Sequence, residues 1–218
     1  MKKKIIILLF LVLLLCSCGR KNDIKNNDEN NKVITKINSN EDVLFYENYK
    51  IIIVNGEEHL LRIPIVNSNS DDALNVSLEL KNEVINTYMS YKLIDNVLIT
   101  GNLIDFDYYC IDDYLVIDET ITSYLNEEKN DVVNNYYVIN IKSGKLLFKE
   151  DFYSIFDVSY DDIINYLSNN ITGEDADYIV QMIKNSDFNL YINKDNKLTI
   201  VYNEYSDDEI KQKELVYN

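Results

Sequence analysis

The sequence predicts an α+β fold of antiparallel sheet, with one N-terminal helix and a C-terminal helix pair followed by a β-hairpin. Three observations carry this. Strand-like runs cluster in the middle of the chain instead of alternating with helices. Turn signals built on Asn, Asp and Gly separate neighbouring apolar runs. Helical periodicity is confined to one stretch after residue 70 and two after residue 158. The expected order is ββαβββααββ, without repeats or heptads.

Leu44–Val54 and His59–Ile65 are β-branched and aromatic runs joined at Asn55-Gly56, a strong hairpin signal because both central turn residues need positive φ. Asp71 or Asp72 can cap the next helix, in which Leu74, Leu78, Ile85 and Met89 recur at helical spacing as its expected buried face. Lys81 and Asn82 interrupt that stripe. Three β-rich stretches follow, Lys92–Phe106, Tyr109–Leu125 and Asn135–Phe148, with breaks expected at Gly101-Asn102, Asn126–Asn130 and Ser143-Gly144. Ser159-Tyr160-Asp161-Asp162 has the form of a capping box ahead of Ile163, Ile164 and Leu167. Thr172–Asp175 repeats that form before Ala176, Ile179, Val180 and Ile183, which share one helix face. Phe188–Ile192, a turn at Asp195-Asn196 and Leu198–Tyr202 make the closing hairpin, and Leu215–Tyr217 a last edge strand.

The N-terminus is of another kind. Lys2, Lys3 and Lys4 precede an apolar stretch from Ile5, and the run Leu15-Cys16-Ser17-Cys18 ends it. That is the layout of a bacterial secretory signal, and a small residue followed by cysteine resembles a lipobox. The expectation is removal of residues 1–17 and acylation of Cys18, a lipid anchor on the extracytoplasmic face of the membrane. As a helix, Ile5–Cys18 would span about 21 Å, short of a hydrocarbon core of about 30 Å. Two or three acyl chains hold firmly where one exchanges. Residues 18–40 are polar and rich in Asn, expected as a disordered tether. Residues 41–218 form the body, long enough for a sizeable core.

Charge is divided unevenly. Residues 19–40 carry five Lys/Arg and three Asp/Glu, whereas the body carries 13 Lys/Arg against 34 Asp/Glu, a net charge of −21. A basic stalk beside an anionic leaflet holds an acidic head away from the lipid. The body lacks the basic surface that nucleic acid requires; its acidity serves solubility by itself, and the sharper expectation is a cationic partner, a basic protein or cell-wall ligand. Oligomeric state is left open. Once the signal is gone and Cys18 acylated, Cys110 stands alone. With no disulfide, the body rests on its apolar core. Cys110, between Tyr109 and Ile111, is expected to be a buried small hydrophobe rather than a nucleophile.

Chemistry-bearing motifs are scarce. His59, the single histidine, is expected as a half-exposed strand residue that cannot build a zinc site or triad alone. Acid pairs occur at Asp105 and Asp107, Asp112-Asp113, Asp161-Asp162 and Asp207-Asp208. They leave open an alternative, an envelope enzyme acting on peptidoglycan or polysaccharide through two carboxylates. With 37 acids in the chain such pairs arise from composition alone. Asn193–Asn196 lacks the spacing of a calcium loop. No catalytic residue, cofactor or metal ligand is assigned. There are 18 tyrosines and no tryptophan, suited to core filling and to contacts with protein or glycan.

Several of these features recur together elsewhere. Ile63-Pro64-Ile65 precedes a helix containing Val84-Ile85-Asn86. Tyr136-Tyr137-Val138-Ile139-Asn140-Ile141 runs into Lys142-Ser143-Gly144-Lys145 and then Leu147-Phe148-Lys149-Glu150-Asp151-Phe152. The strand Leu198–Tyr205 follows the helix pair. The ordered set resembles the extracytoplasmic domain of RsiV-type anti-sigma factors, found also on some polysaccharide deacetylases. It covers nearly all of Leu44–Tyr217, with halves at 41–150 and 151–218. The resemblance implies a non-catalytic binding module, and in the anti-sigma factors the ligand is lysozyme, a basic protein. The chain departs from the family after Tyr205, where Ser206-Asp207-Asp208-Glu209 replaces a glycine, and it shows neither a sigma-sequestering segment nor a deacetylase domain. A structural envelope protein is the remaining alternative.

Overall fold

The computed structural model describes residues 43–172, 176–185, 188–206 and 209–218. Cys18, the signal, the tether, the end of the second capping signature and Asp207-Asp208 lie outside the described residues. The described chain is α+β and mostly antiparallel. β1 (Leu44–Val54) and β2 (Glu57–Val66) form the first hairpin, and α1 (Asp71–Ser90) follows. β3 (Lys92–Ile94), β4 (Val97–Ile111), β5 (Tyr114–Leu125), β6 (Glu128–Asn140) and β7 (Lys145–Leu146) come next. Then come α2 (Lys149–Phe156), α3 (Tyr160–Asn170), α4 (Ala176–Asn185), β8 (Asn189–Ile192), β9 (Leu198–Ser206) and β10 (Glu209–Val216). The larger sheet has the order β2-β1-β4-β5-β6-β7, with β3 against β4, and the smaller is β10-β9-β8. One parallel contact, Ile53 with Val97, joins β1 to β4.

Tight turns rest on Asn and Asp, whose short side chains tolerate left-handed backbone. Asn55-Gly56, Asp95-Asn96 and Asn126-Glu127 all have positive φ at both residues. The break expected at Gly101-Asn102 does not exist. The β4–β5 ladder begins at Thr100 and continues through both residues to Ile111. A side chain on Gly101 would meet the Tyr91 ring, so this glycine marks a close approach inside a strand, not a turn. Nor is there only a helix pair after the large sheet, because α2 precedes it. That helix has eight residues with only Phe152 buried, too short to show a period, and the Phe148 N–H donates to Asp151 Oδ2 at its start.

The buried face of α1 is the main correction. Ala73, Val76, Leu80 and Val84 pack on the sheet, whereas Leu74, Leu78 and Met89 are 52%, 57% and 77% exposed and Ile85 is half-buried. The two apolar stripes lie about 140° apart on the helix, so periodicity alone cannot choose between them. Polar anchors choose. Ser70, not Asp71 or Asp72, is the N-cap, and its Oγ donates to the Gly144 carbonyl at 2.6 Å. Asp72 accepts from the Leu146 N–H, and the Val66 N–H donates to Ser77 Oγ at 3.0 Å. These bonds turn the small-residue stripe inward and leave the larger one in solvent.

Two apolar clusters use opposite faces of the same strands. Leu115, Ile117 and Ile139 belong to the cluster under α1, while Val116 and Val138 belong to the cluster with α2–α4 and the smaller sheet. Both faces of β5 and β6 are therefore covered around residues 115–117 and 138–139.

Gly56 and Gly144 separate two effects of adding a Cβ. Both have positive φ, but at Gly56 the space is open, whereas at Gly144 a Cβ would collide with Oγ and Cβ of Ser70. Gly56→Ala is expected to destabilise by about 1 kcal/mol, and Gly144→Ala by about 2 kcal/mol or more because the α1 cap must also move. Thermal unfolding followed by circular dichroism checks the order, at about 2–4 °C per kcal/mol. Equal melting temperatures would contradict the cap's dependence on Gly144.

Candidate functional site

Adjacent residues on a strand point to opposite faces, and β5 places an acid on each. Glu119 shares the parity of Leu115, Ile117 and Ile121 and is 0% exposed beneath α1. Its Oε2 accepts from Asn135 Nδ2 at 2.9 Å on β6, and its Oε1 has no donor. Glu83 of α1 faces it, and Glu79 adds repulsion one turn earlier. The Glu119 carboxyl is pushed up to about 7, first by burial and then, against the Asn135 bond, by these two acids. Two carboxyls in contact share a proton more readily than they both ionise. Tyr137, beside them on β6, is pushed up by burial and by the same three acids. The outward surface of α1 near this pair is a shallow concavity lined by Asn75, Leu78, Glu79, Asn82, Glu83, Asn86 and Thr87.

Asp118 faces the other way. In register it lies between Asp107 on β4 and Tyr136 on β6. Tyr136 and Tyr191 stack at 3.8 Å with 7° between their planes, and their hydroxyls donate to the two oxygens of Glu214 at 2.5 and 2.9 Å. Burial, Glu214 and Asp107 push the Asp118 carboxyl up to about 6, with Lys194 opposing. Gln212 of β10 completes the junction. Its side-chain amide accepts from the Asn134 N–H at 2.7 Å and donates to the Asn134 carbonyl at 2.8 Å, as a neighbouring strand would. Tyr109 donates to the Ile192 carbonyl at 2.6 Å. These bonds join the larger sheet to the smaller. They are structural in kind, because the paired hydroxyls and carboxylate are turned toward each other.

The residues singled out in the sequence are scattered. Asp105 and Asp107 are exposed on β4. Asp112 accepts from Asn196 Nδ2 at 2.7 Å, and Asp113 pairs with Lys142. Asp162 closes the capping box with Ser159, whose hydrogen bonds hold its carboxyl below the usual range. Asn193 Oδ1 accepts from the N–H groups of Asp195 and Lys197, an Asx turn. His59 is half-buried on β2, opposite Ile52. Cys110 is exposed, not the buried hydrophobe expected. It pairs with Leu115 two residues from the β4–β5 turn. Partial burial still pushes its thiol up, the wrong direction for a thiolate nucleophile. Among the described residues no group of three or more His, Cys, Asp or Glu is placed to hold a metal ion.

Glu119 and Asp118 were missed because they look like two more acids. The available signal was parity: Glu119 falls in phase with three inward-facing apolar residues of its own strand. No family model matches the chain, and no curated protein matches it.

The pKa directions predict how stability follows pH. A carboxyl whose folded pKa is raised binds its proton more tightly in the native state, so its contribution is full at low pH and is lost as pH rises through the window. For Asp118 that window runs from 3.8 to about 6, and for Glu119 from 4.5 to about 7. Asp151 and Asp162 are lowered and act oppositely, losing their contribution in acid. The melting temperature is expected to peak near pH ~5 and to decline toward pH ~8. Glu119→Gln, which keeps the Asn135 contact, should gain on the order of 2 kcal/mol over wild type at pH ~8 and little at pH ~4.5. Equal gains at both pH values would contradict a buried shared proton.

Proposed function

We propose that the chain is a lipid-anchored extracytoplasmic binding module for a cationic partner at the cell wall, acting without catalysis. The lipobox-like run at Cys18 and the contrast between a basic tether and a body of net charge −21 support the location and the partner's sign. The observation that carries the reading is the Glu119, Glu83 and Glu79 cluster. The charged groups acting most strongly on Glu119 are both of its own sign, so the fold tolerates repulsion that a bound cation would relieve. Glu119 is fully buried, so a bound cation would act on it through the half-buried Glu83 of α1. The resemblance to RsiV-type domains, with the 41–150 and 151–218 halves, makes lysozyme the first ligand to test.

Titration of the full chain in zwitterionic nanodiscs with lysozyme should give binding at low salt that weakens at least about tenfold when salt is raised from ~0.05 to ~0.3 M. Absence of binding at low salt would overturn the reading. For the anchor, labelled palmitate should incorporate into the wild type and not into Cys18→Ser, which should be lost from the membrane fraction.

A further inference from the structure

We propose that the solvent-facing side of α1 is the docking surface for a cationic amphipathic helix of a partner protein. This rests on the cationic-partner reading and assigns its site.

Three rows run along that side. Leu74, Leu78, Ile85 and Met89 form one, with Lys81 in its middle. Asn75, Asn82 and Asn86 form the next, and Glu79 and Glu83 the third, at successive angles of a helix advancing about 100° per residue. α1 spans 20 residues, about 30 Å at 1.5 Å per residue, the length over which a helix meets another. Leu74, Leu78 and Met89 in solvent, with half-buried Ile85 between them and polar residues alongside, form the pattern of an interaction site. Core packing does not explain it, because α1 buries its other stripe.

Charge selects the occupant. The helix carries Asp71, Asp72, Glu79 and Glu83 in addition to Glu119 behind it, against Lys81 alone. A second copy packing through this face would set acids against acids, and an anionic leaflet would be repelled. A helix with an apolar stripe flanked by Lys or Arg satisfies both rows at once. Glu119 is the second, independent sign of such a ligand: fully buried, its Oε1 without a donor, facing Glu83. A cationic group reaching Glu83 would draw the pair into its fully ionised form and release the shared proton. Glu79 and Glu83 on α1, with Asn135 and Tyr137 on β6, are the groups facing Glu119.

The test uses the full chain in zwitterionic nanodiscs, empty nanodiscs as blank, and a labelled synthetic peptide of Lys and Leu at amphipathic helical spacing. Wild type should bind. Leu78→Ser, Ile85→Ser and Glu83→Gln should each weaken binding about tenfold. The double variant Glu57→Gln/Glu58→Gln, which removes two charges at the β1–β2 hairpin, should change it less than about twofold. Wild-type affinity should rise between pH ~5 and ~8, and Glu119→Gln should flatten that rise. Peptide binding unchanged in the α1 variants, or lost equally in the hairpin variant, overturns the proposal. If lysozyme binds salt-sensitively to the wild type and to all α1 variants alike, the docking surface is refuted while the cationic-partner reading stands. If wild type binds neither probe, both fall.

Discussion

Covering both faces of strands β5 and β6 is the constraint on which the rest of this structure depends. Leu115 and Ile117 enter one cluster and Val116 between them the other, while Ile139 and Val138 do the same on the next strand. A one-residue slip in register would exchange these sets and put each strand's apolar residues on the wrong sides. The register of β4, β5 and β6 is therefore held from two directions at once. It is this rigid pair of strands that carries both acids, Asp118 toward the smaller sheet and Glu119 toward α1.

The two acids are handled differently. On the Asp118 side, Tyr136 and Tyr191 donate to Glu214, and Gln212 serves as a one-residue strand partner for β6. Those hydrogen bonds tie the sheets together, while Asp118 Oδ1 and Asn134 Oδ1 stay buried without a partner. On the Glu119 side the Asn135 amide and the neighbouring Tyr137 hydroxyl meet three carboxyls. Burial of a charge without a counter-charge is among the costlier arrangements a protein can keep, and here it lies under a helix whose outer face is apolar. A crowded carboxyl pair and exposed apolar side chains thus occur on the same helix.

Much of the architecture was legible locally. The first hairpin, the capping box at Ser159–Asp162, the α4 face of Ile179, Val180 and Ile183, and the β8–β9 hairpin each follow from a few neighbouring residues. The two hairpin turns and the Ser159 cap are satisfied within those residues. The α2 helix escaped because eight residues with a single buried side chain carry no period. Gly101 misled because a glycine beside asparagine reads as a turn, when its missing side chain makes room for Tyr91. Cys110 misled because apolar neighbours in the chain do not say how much of a side chain the fold covers. Glu119 follows the inward parity of Leu115, Ile117 and Ile121, a signal that charged residues carry as well as apolar ones.

Order along the chain was sufficient for the α+β class, the signal-like N-terminus and the division between a basic stalk and an acidic body, since each is a property of composition or of short-range spacing. Which stripe of α1 is buried was decided only by folding. Both stripes have helical period, and the choice rests on Ser70 meeting Gly144, Asp72 meeting Leu146 and Ser77 meeting Val66. Two of those partners lie more than 70 positions away in the chain. No local pattern encodes a hydrogen bond across that separation, and with it came the outward apolar face and the carboxyl pair behind it.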